Sequence, residues 1–151
     1  MQKIHRTIAL AVVLYVGTPL LLRGQAAPEN LIHVEIAGLR SEKGQVLCAL
    51  FSSAADFPRR GDKAVAHAGS GISQGRAVCD FPNIAPGTYA VSAFHDENSN
   101  SKMDSNFLGI PREGVGASND AKGRFGPPKF DAASFRFAGG RADLKITLSY
   151  L

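Results

Sequence analysis

The chain has 151 residues, with 17 Lys or Arg, 13 Asp or Glu, and a formal net charge of +4 at pH 7. Three of the basic residues, Lys3, Arg6 and Arg23, lie within the first 26 residues, which contain no acid. The remaining 14 basic and 13 acidic residues nearly cancel. With no basic helical pattern and no aromatic residues interleaved with Arg, this balance argues against a nucleic-acid partner.

Residues 1–26 are predicted to be a signal peptide. Lys3 and Arg6 form a positive start, an apolar run covers residues 8–22, and small residues lead to an expected cleavage after Ala26. The apolar run is interrupted and short for a membrane span, which needs about 20 apolar residues. An uncleaved N-terminal anchor is the alternative. We therefore expect an exported protein, periplasmic or extracellular, with no membrane span after cleavage.

Residues 27–151 have the length of one domain and are enough to bury a sizeable core. Export places the two cysteines, Cys48 and Cys79, in an oxidising compartment, where pairing is the default. Both lie in strand-like segments, so we predict a Cys48–Cys79 disulfide, which contributes roughly 3–4 kcal/mol in the chain-entropy model. Two buried free thiols are the alternative.

Strand patterns dominate this domain. Apolar residues alternate with polar ones over residues 32–36, which predicts a half-buried strand. The nearly continuous apolar run at residues 45–51 predicts a central strand covered on both faces. Four further strands are predicted at residues 77–81, 88–95, 135–137 and 143–150. Because no window sustains a helical repeat, we predict an all-β, immunoglobulin-like or prealbumin-like sandwich of about seven strands.

Two stretches do not fit strands. Residues 52–70 are predicted to be a loop with one short helical turn. Residues 97–131 are predicted to be one long ordered loop, and loops of that length in compact domains are often functional. Three aromatic residues of this long loop are predicted to anchor it on the sandwich; an exposed cluster of them is the alternative, and would mark a binding face. They are Phe107, Phe125 and Phe130.

Oxygen-bearing side chains recur at every second position where the long loop begins, and Asp104 follows four residues after the last of them. This spacing is typical of a calcium-binding loop. The predicted ligands, four side chains and one backbone carbonyl, are Asp96, Asn98, Asn100, Lys102 and Asp104. Phe107 stands where such loops carry a bidentate Glu, so we expect a weak site, with a dissociation constant on the order of 10⁻⁴–10⁻³ M. The alternative is that these side chains cap their own turns.

Three further residues are candidate binding residues: His95, Arg112 and Glu113. The alternative enzymatic hypothesis is a small-molecule hydrolase, or another enzyme, that uses His95, Asp96 and Glu113. Each of them also has a structural interpretation, in which His95 bonds loop backbone and Glu113 pairs with Arg112 or accepts backbone amides. No second His stands at a metal-ligand spacing and no Gly-x-Ser-x-Gly motif is present, which disfavours a zinc site and a Ser-His-Asp hydrolase.

The turn Pro86-Gly87-Thr88-Tyr89 and the strand after it resemble the prealbumin-like sandwiches, such as carboxypeptidase regulatory domains and adhesin repeats. The segments 95–104, 106–114, 116–119 and 126–130 resemble a bacterial exported family known as domain of unknown function number 2141. The resemblance covers residues 31–151 and implies the fold and the compartment, but no activity. This chain has Ser101 where the family loop commonly has Gly.

We therefore expect an exported, non-enzymatic binding or structural module. Its interaction surface is predicted to be the loop 95–130, stiffened by Ca²⁺, and its partner an extracytoplasmic protein or glycan. A third hypothesis is an accessory domain that adds a strand to the sheet of another protein.

Overall fold

A computed structural model describes residues 30–151. The predicted signal peptide, residues 1–26, therefore lies outside the described residues. Among residues 30–151, no helix is both long and apolar enough to cross a bilayer. The strands are β1 (Leu31–Ala37), β2 (Gln45–Phe51), β3 (Ala66–Gly71), β4 (Ala77–Pro82), β5 (Gly87–Asp96), β6 (Val115–Ala117), β7 (Phe135–Phe137) and β8 (Arg141–Thr147). Helical structure consists of two 3₁₀ turns, Gly61–Lys63 and Ser118–Asp120, and one α-helical turn, α1 (Phe130–Ala133).

The strands form two sheets. One has three strands in the order β4-β1-β8, in which β1 pairs antiparallel with β4 and parallel with β8. The other has the order β3-β2-β5-β6, and β7 pairs with the first residues of β5. The predicted all-β sandwich is confirmed, with eight strands in place of about seven.

The main core lies between the two sheets. Because side chains of a strand alternate between its faces, Ile32 and Val34 of β1 point inward toward Val46 and Leu50 of β2, and all four are fully buried. The Cys48–Cys79 disulfide links β2 of one sheet to β4 of the other, with the two Cα atoms 6.4 Å apart. The predicted disulfide is thus confirmed, and it ties the two sheets together.

A second, smaller core lies on the outer face of the five-stranded sheet. Phe51 at the end of β2 stacks edge-on against Phe57, with ring centres 5.5 Å apart. Phe57 in turn stacks against Phe130, at 5.9 Å. Ala90, Ala117 and Ala133 complete the buried part of this cluster. The run 45–51 is indeed a central strand, but its outer face is fully covered only at Phe51, so the expectation of two covered faces was wrong for its first residues.

Two segments predicted to be loops contain strands. Residues 52–70 include the expected short helical turn, Gly61–Lys63, but also most of β3. The inward side chains of β3 that pack on the core are Ala66 and Ala68, so the strand has no large apolar residue to alternate with polar ones. Residues 97–131 contain β6, which divides the predicted single loop into one loop at 97–114 and a second at 118–134. The second loop begins with the 3₁₀ turn Ser118–Asp120.

Candidate functional site

The candidate site is built where β5 enters the loop 97–114. The last two residues of β5, His95 and Asp96, are both fully buried. Burying a charged or polar side chain is costly unless it is hydrogen-bonded. The polar groups around these two residues therefore show how the loop is held.

Asp96 is the main anchor of the loop. Its Oδ1 accepts the Asn100 amide at 3.0 Å, and its Oδ2 accepts the Ser101 amide and the Gln45 side-chain amide, both at 2.9 Å. Burial raises the pKa of Asp96, but the hydrogen bonds from Gln45, Ser101 and Asn100 outweigh it and leave the pKa below its usual value. Asp96 is therefore a buried carboxylate, and the amides of the loop that it positions stabilise its negative charge.

Glu113 closes the loop from its other end. Its two carboxylate oxygens accept the backbone amides of Glu97 and Asp104, each at 3.0 Å, and its side chain is nearly fully buried. The Arg112 amide also donates to the Asp104 carbonyl at 2.9 Å. These bonds join the outgoing and returning halves of the loop, and they include the amide bonds that the structural interpretation of Glu113 expected.

His95 has both ring nitrogens in internal hydrogen bonds. Its Nε2 lies 2.7 Å from the Lys43 carbonyl, which accepts hydrogen bonds but cannot donate. In the neutral ring Nε2 therefore carries the proton, and Nδ1 accepts the Tyr150 hydroxyl at 2.8 Å. Tyr150 accepts the Arg40 amide at 3.1 Å. Burial raises the pKa of Tyr150, so it remains a hydroxyl donor at neutral pH. In this network His95 has no free nitrogen to act as a base or a ligand.

Arg40 contributes to the site, although the sequence did not single it out. Its guanidinium lies 4.3 Å from the centre of the Tyr150 ring and donates to both carboxylate oxygens of Glu97. It also donates to the carbonyl of Arg112 at 3.3 Å, while the Arg112 side chain is exposed. The hydrogen bond from Arg40 is the main cause that lowers the pKa of Glu97. The distance in sequence, 57 residues between Arg40 and Glu97, left no local signal for this pair.

Three of the five predicted calcium ligands lie together at one end of the loop, namely Asn98, Asn100 and Asp104. Asn98 Nδ2 lies 2.6 Å from Asp104 Oδ2, and Asn100 Nδ2 lies 3.3 Å from both Asp104 oxygens. Asn98 Oδ1 accepts the Asn100 amide at 3.1 Å, the same amide that Asp96 accepts. Asn100 Oδ1 accepts the amide of Lys102, whose side chain is exposed. We call Asn98, Asn100 and Asp104 the amide cluster.

One backbone feature of this segment is also found in calcium-binding loops. Ser101 has φ +60°, in the left-handed region, at the sixth position, where such loops need a sharp turn and usually have Gly. Within residues 30–151, no group of three or more His, Cys, Asp or Glu side chains is placed to hold a metal ion. The groups that face Asp104 are the side-chain amides of Asn98 and Asn100.

The tip of the loop exposes large apolar side chains. Four residues with high exposed fractions, which we call the apolar tip, are Met103 (46%), Phe107 (94%), Leu108 (68%) and Ile110 (41%). The tip is folded, since Asn106 Oδ1 accepts the amides of Leu108 and Ile110 at 2.9 and 3.0 Å. The prediction that Phe107 and Phe125 anchor the loop was wrong, because Phe125 is also 99% exposed, whereas Phe130 does pack on the second core.

A shallow groove of about 350 Å³ opens beside the amide cluster. Glu113 lines this groove together with Arg40, Asp104 and Arg112. His95 and Asp96 do not line it. The three residues of the hydrolase hypothesis therefore do not share one cavity, and the polar atoms of each are bonded within the protein.

A protein-family model matches the chain over residues 34–145, and its description is "Uncharacterized protein conserved in bacteria (DUF2141)". This match confirms the resemblance seen in the sequence. No curated protein and no solved structure matches the chain.

Proposed function

The chain belongs to the bacterial family DUF2141, and we propose that it is an exported, non-enzymatic binding module whose interaction surface is the apolar tip. The observation that carries the proposal is the 94% exposure of Phe107 beside Leu108 on a loop with a hydrogen-bonded base. Contiguous exposed apolar residues mark interaction sites more often than scattered ones do.

The base of the loop supports this proposal because it reduces the entropic cost of binding. A surface that is ordered before it meets a partner loses less conformational freedom on association. Asp96 and Glu113 together accept four backbone amides of residues 97–104. The apolar tip is thus presented from a fixed base, and burying a side chain such as Phe107 gives roughly 1.5–3 kcal/mol.

Export is supported by the signal-peptide pattern of residues 1–26 and by the disulfide, since disulfides persist in oxidising compartments. The partner is proposed to be an extracytoplasmic protein, because an apolar tip matches an apolar pocket on another protein better than it matches a hydrated glycan.

We further propose that the loop binds Ca²⁺ weakly through the amide cluster, the Lys102 carbonyl and Asp96. The left-handed Ser101 and the convergence of the cluster support this site. Asp96 contributes little to the affinity, because three hydrogen bonds already occupy most of its acceptor positions. A bound cation would replace the amide donors that now face Asp104, and the expected dissociation constant is on the order of 10⁻⁴–10⁻³ M.

Site-specific photo-crosslinking in the native host tests the interaction surface. A photoreactive phenylalanine analogue in place of Phe107 is expected to give a discrete covalent adduct with one partner protein. The matched control carries the same analogue in place of Phe125, which is equally exposed but lies on the other loop. No adduct from position 107, or the same adducts from both positions, would contradict the proposal.

Calorimetric titration of Ca²⁺ into metal-free protein tests the ion site. We expect binding heat with an affinity in the stated range and a rise in melting temperature, both lost in Asp104→Ala. Absence of heat and of any thermal shift at millimolar Ca²⁺ would leave the side chains as caps of their own turns.

A further inference from the structure

A second groove lies against the second core. It has a volume of about 320 Å³ and runs between residues 54–59 and residues 127–131. Its apolar lining includes Phe57, Phe130 and the prolines Pro58 and Pro128. None of its lining residues lines the groove beside the amide cluster. It is therefore a separate site from the one described above.

The floor of this groove is formed before any ligand arrives. Phe57 is only 8% exposed and lies between Phe51 and Phe130 in the edge-stacked row. The turn that carries Phe130 is fixed by Ser118, whose hydroxyl donates to the Ala133 carbonyl at 2.6 Å and accepts the Val91 amide of β5 at 2.9 Å. Through Phe51 and Val91, both walls are thus connected to the five-stranded sheet.

Each wall also contributes one cation. Arg59 and Lys129 line the groove with exposed side chains. Within residues 30–151, neither side chain makes an ion pair or hydrogen bond, whereas the neighbouring Arg60 lies 3.6 Å from Asp56 and 3.7 Å from Asp62. Asp131 is the only carboxylate among the lining residues. Two cations against one carboxylate leave the groove positive.

We propose that this groove binds a small organic anion, a carboxylate or a phosphate ester on an apolar body. The apolar body would pack between Phe57 and Phe130, and the anionic group would lie between Arg59 and Lys129. Small-ligand sites have this composition, a mostly apolar lining with a few charged groups, and volumes from about 300 Å³ upward. Charge complementarity selects the anion, because Arg59 and Lys129 would repel a cationic ligand.

Titration of the purified protein followed by two-dimensional NMR tests this site, with three probes: 3-phenylpropionate, phenyl phosphate and the neutral 3-phenylpropanamide. At least one of the two anions is expected to give saturable shifts confined to residues 54–59 and 127–131, with a dissociation constant on the order of 1 mM for ligands of this size. The neutral amide is expected to bind several-fold more weakly. The anion that binds more tightly identifies the head group.

A matched pair of variants separates the groove from general surface charge. The double variant Arg59→Gln, Lys129→Gln is expected to weaken binding of the preferred anion roughly five- to tenfold. Arg136→Gln, an exposed cation on β7 that does not line the groove, is expected to leave it unchanged. All three substitutions are on exposed side chains, and an unchanged melting temperature of each variant verifies the fold. Equal binding of the neutral amide, shifts that do not saturate, or unchanged affinity in the double variant would each overturn the proposal.

Discussion

The two long loops of this protein are held to the same sandwich by different forces. The loop 97–114 is fixed by buried carboxylates, Asp96 and Glu113, which accept backbone amides. The loop 118–134 is fixed by apolar packing, in which Phe130 and Ala133 join the second core, and by neutral hydrogen bonds from the side chains of Ser118 and Asn119. The first loop therefore depends on the ionisation of two buried anchors, whereas the carboxylate contact of the second loop lies at an exposed residue, where Asp120 accepts the Thr147 amide at 2.7 Å.

This difference has a consequence for the outer surfaces of the two loops. A loop whose base is held by polar groups does not need its large apolar residues for packing. In the loop 97–114 those residues, Phe107 and Leu108 above all, are exposed. In the loop 118–134 the aromatic Phe130 packs inward, and Phe125 is the exception. The polar anchor is what makes an exposed apolar tip compatible with an ordered loop.

Removal of the Asp96 carboxylate is expected to have the largest effect. Asp96→Ala removes the acceptor of the Ser101 amide and of the Gln45 side-chain amide, and one of the two acceptors of the Asn100 amide, and each loss at these part-buried bonds costs about 1–3 kcal/mol. We expect a loss of about 4 kcal/mol in the free energy of unfolding, measured by urea denaturation. Asp143→Ala is the control, since within residues 30–151 this exposed acid pairs only with Arg141 and its loss should cost far less. Similar losses of unfolding free energy in both variants would contradict the role of Asp96 as the main anchor of the loop 97–114.

Truncation of Phe57 should disrupt the apolar packing that holds the loop 118–134. Phe57→Ala removes the middle ring of the stacked row and should cost about 3 kcal/mol. The loss should be the same at neutral and mildly acidic pH, because no charge is involved. Phe125→Ala, on a 99% exposed side chain, should stay within about 0.5 kcal/mol. A destabilised loop 97–114 in Phe57→Ala, seen as faster amide exchange there, would show that the two loops are not independent.

Acidification should loosen the two loops unequally, by less than the deletion of Asp96. The pKa values of Asp96 and Glu97 are lowered in the folded protein, so their contribution to stability is complete above the ordinary carboxyl range and is lost as the pH falls through the lowered values. Amide protection, expressed relative to the exchange rate of an unstructured peptide at the same pH, is expected to fall first in residues 97–104 between about pH 5 and pH 2. Simultaneous loss of protection in residues 118–134 would contradict this order.

Substitution at the apolar tip should have the smallest effect on stability. Phe107→Ser changes a 94% exposed side chain, so the free energy of unfolding should stay within about 0.5 kcal/mol of the parent. Binding of a hydrophobic dye should fall, because the exposed apolar area falls. Phe130→Ser is the contrasting variant and should destabilise the protein. Destabilisation by Phe107→Ser would mean that the tip packs on the domain and is not free for a partner.

The sequence predicted best what depends on local alternation. The strands β1, β2, β4 and β5 follow from the pattern of large apolar residues, and the disulfide follows from export and strand placement. The strand β3 gave no such signal, since Ala66 and Ala68 pack inward without being large. Within the site, the spacing of Asp96, Asn98 and Asn100 identified a folded polar loop.

What the sequence did not reveal depends on contacts between distant residues. The Tyr150 hydroxyl reaches His95 across 55 residues, and Arg40 reaches Glu97 across 57. Neither pairing leaves a periodic pattern in the chain. Likewise, the exposure of Phe107 depends on the direction of a turn held by Asn106, so aromatic character alone suggested an anchor.

Amide hydrogen exchange at Asn100 and Ser101 tests most directly whether a buried carboxylate fixes the loop. With both amides donated to Asp96, we expect protection at near-neutral pH comparable to that of β5, and its loss in Asp96→Ala. Exchange of these two amides at the rate of an unstructured peptide in the parent protein would contradict a fixed loop, and with it the rigid presentation of the apolar tip.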